Sequence, residues 1–346
     1  MSGDPSITVV EDATPEAWDR YVDSQGAASA YHQWRWRGIF ADAFGHETRY
    51  LAARRRDTIV GVLPLVLFRS RLFGRFIVSL PFVNYGGVVA DDAMAADCLV
   101  KHAESIADRG GFDHLELRHR ERGFPDLVPK QHKVAMVLGL ERTRDAAWDA
   151  LDRKARNQVR KAQKSGLTAS AGGAERLDDF YGIFARNMRD LGTPVYGRAF
   201  FDSVLRGCGE SARVIVAEQN GTPVAAAITL SHRSTIEVPW ASSLGEFRSL
   251  CPNHMLYWFI IEWAIEHHFE FLDFGRSTPD EGTFHFKRQW GALPSPLCWE
   301  YRLLRHAALP DQSPKNPKFR TAIEAWKRCP LWLTNTLGPH IVRSIP

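Results

Sequence analysis

"RVIVAEQNGTPVAAAITLS", residues 213–231, reads as an apolar strand, a polar turn and a second apolar strand, the pattern of a β-hairpin. Residues 49–67, "RYLAARRRDTIVGVLPLVL", share that layout. Thr58 and Thr222 hold the same place, as do Val60 and Val224. Further along, "KHAESIADRGGFDHLELRH" (101–119) parallels "WFIIEWAIEHHFEFLDFGR" (258–276). Each is an amphipathic helix feeding a strand, with Phe112 matching Phe269, Leu115 matching Leu272 and Glu116 matching Asp273. Hairpin, crossover helix and strand therefore occur twice in the same order. The reading is two related mixed α/β domains, with a boundary near residues 142–144.

The bulk numbers fit this. The chain has 346 residues, enough for two average domains, with 45% hydrophobic and 24% charged residues. A net charge of +4 is too mild to imply a nucleic-acid partner by itself. Five cysteines (Cys98, Cys208, Cys251, Cys298, Cys329) are scattered without a metal-type pair, which reads as reduced thiols. His254, His267, His268 and His285 show no metal spacing with carboxylates, so no metal is expected. The first residues lack a basic region followed by an apolar core, and no apolar run approaches the roughly 18 residues of a spanning helix. A cytoplasmic protein is expected.

Positive charge is unevenly placed. "TRDAAWDALDRKARNQVRKAQKSGL" (143–167) reads as one helix, N-capped by Thr143 and ended by Gly166, with Trp148, Leu151, Ala155, Val159 and Ala162 as its apolar stripe. Its other faces carry Arg153, Lys154, Arg156, Arg160, Lys161 and Lys164, with no acid after Asp152. Solvated faces normally mix signs to gain i,i+4 pairs. Six unmixed cations point to a polyanion partner or to acids elsewhere in the fold.

The second chemical signal is "FLDFGRSTPDEGTFHFKRQWGA" (271–292). An apolar strand breaks at Gly275, and Arg276 and Lys287 bracket a turn-rich loop. Such a segment forms either a pocket wall that holds an anion, or a solvated loop pinned by Lys287 on Asp280 or Glu281. In "SLPFVNYGGVV" (79–89) the paired glycines permit close backbone approach to a ligand, beside Asn84 and Tyr85. "MRDLGTPVYGR" (188–198) offers Arg189, Asp190 and Tyr196 in a loop after a helix end. Trp240 alternates with Val238 toward one sheet face, as a core residue or a stacking platform.

Taken in order, these pieces resemble the FemABX-like branch of the GNAT acyltransferase superfamily, and more narrowly the FemAB-related proteins of exosortase/PEP-CTERM exopolysaccharide loci. The resemblance covers nearly the whole chain. It implies two tandem GNAT-like domains, each a mostly antiparallel mixed sheet flanked by helices: residues 1–143, 144–305, and a tail, 306–346, packing on the first. The best-known FemABX enzymes move an amino acid from aminoacyl-tRNA onto a peptidoglycan precursor. A lysine in a Phe-Lys motif of their second domain helps bind substrate and stabilise charge. Phe286-Lys287 sits in the matching motif, which makes Lys287 the expected catalytic residue. Arg276, Arg189, Asp190, Tyr196, Asn84, Tyr85, Arg156 and Trp240 are the expected substrate contacts.

The implied activity is acyl or aminoacyl transfer to an amine or hydroxyl of a small-molecule or lipid-linked envelope or exopolysaccharide precursor. The alternatives are a CoA-dependent N- or O-acetyltransferase and a non-catalytic binding module of a polysaccharide assembly system. The chain departs from the pattern in two places. Leu191 precedes Gly192 where the family carries Arg-Asp-Gly, which suggests a different acceptor. "GEFRSLCPNHMLYW" (245–258) lacks the Gly-rich turn that cradles the pyrophosphate of acetyl-CoA in this superfamily. No cofactor is therefore expected, and aminoacyl-tRNA is favoured over acyl-CoA as donor. The tail is apolar with flanking cations, which suits a docked helix or peripheral contact with the inner membrane through 325–346.

Overall fold

The computed structural model describes residues 6–70, 73–305, 308 and 317–345. The chain divides into two compact units. One comprises Met1–His132, Pro296–Asp311 and Ser344–Pro346, and the other Lys133–Ser295 and Gln312–Arg343.

The first unit runs β1 (Ile7–Val10), α1 (Pro15–Ser24), α2 (Arg35–Phe44), β2 (Glu47–Arg55), β3 (Thr58–Ser70), β4 (Gly74–Val78), β5 (Val89–Ala90), α3 (Ala93–Arg109), β6 (His114–His119) and β7 (Val128–Lys130). The second runs β8 (Val134–Gly139), α4 (Arg144–Ala150), α5 (Arg153–Lys164), β9 (Leu167–Gly172), α6 (Leu177–Leu191), α7 (Arg198–Cys208), β10 (Ala212–Gln219), β11 (Thr222–His232), β12 (Thr235–Ser243), α8 (Pro252–Glu266), β13 (Phe271–Ser277), α9 (Gly282–Arg288) and β14 (Leu293–Pro296). The chain then adds β15 (Cys298–Leu303) to the first unit and α10 (Pro317–Arg328) and α11 (Leu331–Val342) to the second.

The repeat is present. Strands β2–β3–β4, helix α3 and strand β6 recur as β10–β11–β12, α8 and β13. In each copy the final strand lies parallel to the third, β6 on β4 and β13 on β12. Side-chain alternation builds the layers. In β2, Leu51 and Ala53 join the cluster under α3, where Ala95, Leu99, Ala103 and Ala107 recur every four residues; Tyr50 and Ala52 join Trp18 and Val22 of α1 on the opposite face. In the second unit α8 is buried against the sheet beside Ala155 and Val159 of α5. Aromatic residues of α6 and α7 (Phe180, Phe184, Phe200, Phe201) form a separate cluster.

The division of the chain differs from the expected 1–143 and 144–305. The sheet orders are β1-β2-β3-β4-β6-β15-β7 and β14-β8-β13-β12-β11-β10-β9. Thus β8, which precedes the second repeat, pairs antiparallel with β13, and β15, which follows it, pairs antiparallel with β6. Each strand fills the equivalent place beside the last strand of a repeat. Apolar alternation says that 134–139 is a strand, but not which open edge it completes.

Two further expectations are corrected. Residues 143–167 form two helices, because Asp152 takes an extended conformation and its carboxylate caps the Lys154 and Ala155 N–H groups at the start of α5. The tail helices α10 and α11 pack on α6 in the second unit. Small residues permit this: a Cβ at Gly192 would lie 2.5 Å from Ile323, and one at Gly338 would lie 2.9 Å from the Val195 nitrogen.

Candidate active site

The site begins with a defect in the sheet of the second unit. Strands β12 and β13 are in register over only three pairs, Thr235–Phe271, Ile236–Leu272 and Glu237–Asp273. The other edge of β13 is bulged between Asp273 and Arg276 in its pairing with β8. Gly275 absorbs the bulge with φ of 73°, a left-handed conformation that costs glycine nothing. Asp273 holds the bent backbone, its Oδ1 accepting from the Gly275 N–H at 2.8 Å. The sequence break at Gly275 is therefore a bulge inside the strand, and β13 continues through Arg276 to Ser277.

Lys287 is aimed at this bulge. It lies in the last turn of α9, three residues after buried Phe284, so the packing that seats Phe284 turns Lys287 inward. The side chain is buried, and Nζ donates to the carbonyl oxygens of Gly275 at 3.2 Å and Arg276 at 2.8 Å. Burial pushes its pKa down to about 8. Asp273 acts against that fall, Arg276 adds to it, and Glu237 also acts against it. The alternative, a pin on Asp280 or Glu281, is not what holds the ammonium. Glu237 and Asp273 are themselves buried at facing positions of the parallel pair, which places two carboxylates beside one ammonium. Arg276 is half-buried at the bulge. An ammonium carries three donors, and two are used here.

The basic helix lies in the same unit. Arg153, Lys154, Arg160, Lys161 and Lys164 are exposed along α5; Arg156 is half-buried, 4.0 Å from Asp149. At the start of α5 an open hollow of about 470 Å³ is lined by Asp152, Arg153, Lys154, Asn157 and Gln158. The thiol of Cys251, which precedes α8, donates to Gln158. His254, one turn into α8, has its pKa lowered to about 4, chiefly by burial; the Gln289 hydrogen bond opposes this and Lys154 adds to it.

The loop 189–198 is mainly a helix ending. Gly192, at φ of 78°, caps α6 and donates to the Arg189 carbonyl, while Thr193 N–H donates to Met188. Arg189 and Asp190 pair with each other at 2.7 Å. Tyr196 is half-buried, its ring 5.4 Å from Phe200. Trp240 is core rather than platform: it is 5% exposed, with Phe200 and Phe201 edge-on at 5.4 Å each.

The first unit holds a separate cavity of about 580 Å³, which Tyr85 lines together with Ser29, His119, Arg120 and Arg122. Arg120 sits 3.9 Å above the Tyr85 ring, and Asn84 is buried in the same turn. The paired glycines serve packing here. A Cβ on Gly86 would lie 2.4 Å from the Ser79 carbonyl oxygen, and one on Gly87 2.3 Å from His119. His119 accepts from Val88 N–H through Nε2, so its Nδ1–H donates to Glu300 at 2.7 Å. Burial works against the Glu300 carboxylate, but bonds from His119, Phe124 and Gly123 hold its pKa below the usual range. Both ring nitrogens of His119 are thereby committed to structure. Arg118, also buried, pairs with Glu116 at 2.6 Å under Trp299. Arg118, His119, Arg120 and Glu300 escaped the sequence reading. The signal was available in "HLELRHRER" (114–122), a strand with too many charges to be an ordinary buried one.

Comparisons with known proteins bear on this architecture. Residues 152–288 match the family model described as an acetyltransferase (GNAT) domain, a span that contains α5, the β12–β13 divergence and Lys287. No curated protein matches the sequence. Among solved structures, the fold is similar to FemX, with 15% identity, 91% of this chain and 100% of that chain covered, and a TM-score of 0.66. It is similar to L-PGS from Bacillus licheniformis, with 12% identity, 92% and 97% covered, and a TM-score of 0.56. It is also similar to a tandem GNAT protein from the clavulanic acid biosynthesis pathway, with 11% identity, 86% and 98% covered, and a TM-score of 0.55. The chain thus has a tandem GNAT-like fold, within which residues 152–288 match the acetyltransferase (GNAT) domain model.

Proposed function

We propose that the protein is an acyltransferase that moves an aminoacyl or acyl group onto an amine or hydroxyl of a cell-envelope or exopolysaccharide precursor. The observation that carries this reading is Lys287, a buried ammonium held at a strand bulge by two carbonyls, with one donor left over. Attack of an amine or hydroxyl on an ester carbonyl forms a C–N or C–O bond and places negative charge on the carbonyl oxygen. Collapse of that tetrahedral intermediate expels the donor's alcohol, and the proton lost by the nucleophile goes to the leaving oxygen. Lys287 supplies a fixed positive charge to the oxyanion in a site where burial strengthens it. Arg276, half-buried at the same bulge, is suited to grip a phosphate or carboxylate of the substrate.

Aminoacyl-tRNA is the proposed donor. The exposed cations of α5 form an unmixed basic face, and α8 opens with Pro252, which has no N–H to offer a pyrophosphate. A second reading, CoA-dependent acetyl transfer, is favoured by the matched family model alone. Thermal shift separates the two. A donor at 100 times its dissociation constant adds about 2.7 kcal/mol of stability. Charged tRNA should stabilise the protein and acetyl-CoA should not; the reverse outcome selects the acetyltransferase. With the donor identified, Lys287→Met should cut turnover roughly 100- to 1,000-fold while substrate affinity changes less. Full turnover in a folded Lys287→Met protein would remove this mechanism.

A further inference from the structure

Helix α11 reads "LWLTNTLGPHIV" and contains no Asp, Glu, Lys or Arg. Its inner side is Thr334, Gly338 and Val342, buried at four-residue spacing. Gly338 presses on Val195 and Pro339 lies against Gly197, so the turn at 192–197 fixes which side faces out. The outward arc carries Trp332 at 68% exposure and Leu337 at 43%. Leu191, which ends α6 where α11 packs, is 58% exposed. Single exposed apolar residues are ordinary, but Trp332 and Leu337 share the outward side of one helix that carries no charge, and Leu191 is exposed at the end of the helix it packs on.

Charge identifies what the patch meets. Lys327 pairs with Glu324 on α10, and from residue 328 to 345 the chain carries Arg328 and Arg343 and no acid. Arg328 and Arg343 bracket α11 and are exposed, and Arg320 is exposed on α10. A second copy of the chain docked here would bring like charges together. An anionic lipid surface would accept both the apolar arc and its cationic flanks. Among the described residues no helix is long and apolar enough to cross a membrane, so the contact is one of lying on the surface.

We propose that α10 and α11 form a membrane-contact surface that seats Trp332 and Leu337 at the interface of an anionic bilayer, with Arg328 and Arg343 on its headgroups. The proposal goes beyond the acyltransfer reading and stands whichever donor is used.

The test is flotation of the full-length protein with phosphatidylcholine vesicles, with or without phosphatidylglycerol. The protein should float only with the anionic vesicles, and less as salt is raised. Neutralising one cation should weaken partition about fivefold, so Arg328→Gln with Arg343→Gln should lose roughly 25-fold. Trp332→Ser with Leu337→Ser should lose at least about tenfold, with an unchanged thermal melt. Absence of flotation, or equal partition of the folded variants, would overturn the proposal. So would concentration-dependent dimerisation of the wild type that the Trp332/Leu337 variant abolishes, which would assign the patch to a second copy.

Discussion

Replacing Lys287 by methionine tests the site through stability as well as turnover. Burial lowers the pKa of Lys287 from 10.5 to about 8 in the folded protein. Between these values the unfolded chain binds more protons than the folded one, so stability rises with pH across that window. Below pH 8 the wild type bears the full cost of a buried ammonium, and above 10.5 it bears none. A fall of that size corresponds to about 3 kcal/mol. Methionine cannot titrate, so this cost is absent from the variant at every pH. The variant also leaves the Gly275 and Arg276 carbonyls without their donor, a constant loss of roughly 1–3 kcal/mol. The two effects separate because only the first depends on pH. Urea denaturation of both proteins from pH 7 to 10.5 should show the wild type gaining about 3 kcal/mol relative to Lys287→Met. Other titrating groups cancel in the difference. A stability difference independent of pH would mean that Lys287 titrates as an exposed lysine does, and the buried-ammonium argument for oxyanion stabilisation would fall with it.

Four further outcomes are expected. If the charged form of Lys287 works on the oxyanion, the pH–rate profile should turn down above about pH 8, and a profile still rising at pH 9.5 would contradict that role. Trp240→Ala should cost about 3–5 kcal/mol in denaturant titration, because it empties an aromatic core; a variant of unchanged stability with weakened substrate binding would restore the platform role. Gly87→Ala should destabilise the first unit by at least about 2 kcal/mol, since it combines φ of 96° with a Cβ placed 2.3 Å from His119. Reversing Arg160 and Lys161 to Glu should weaken tRNA binding and flatten its dependence on salt, and unaltered binding by filter assay would remove α5 from the donor site.

Much of the fold was legible. The period-2 strands, the amphipathic helices and their repetition at matched offsets are local patterns, and local patterns survive in sequence. Lys287 could likewise be singled out, because a charge between aromatic residues demands a partner. The assignment of β8 and β15 to sheets was not legible, since both repeats end on a strand edge that an apolar strand can complete. The separation of α4 from α5 turned on a single side chain, Asp152, which serves equally well inside a reading of one continuous helix or as a cap.

What the sequence leaves open is the partner, which can be a backbone carbonyl or a distant side chain as readily as a neighbour in the same loop. Sequence offers Lys287 the acids of its own loop, yet its nitrogen bonds the carbonyls of Gly275 and Arg276 where β13 is bulged. Gly86 and Gly87 permit a close approach, which the Ser79 carbonyl and the His119 ring make, while Gly86 also lines the cavity of the first unit. Gly192 suggested an acceptor loop, yet it caps α6 and makes room for Ile323. Residue types announce that a close approach or a charge must be satisfied; they do not say by what, because every residue offers the same carbonyl and nearly every one the same N–H. In the second unit that gap has a functional consequence. The carbonyls that orient Lys287 belong to Gly275 and Arg276, so the shape of the bulge, and not the identity of any neighbouring acid, sets where the ammonium points. Gly275→Ala changes no charge and removes no hydrogen-bonding group, yet its left-handed backbone makes it the substitution that best separates position from charge. It should lower turnover while leaving the pH-dependent part of the Lys287 stability difference in place. A fully active Gly275→Ala protein would show that the bulge does not aim Lys287.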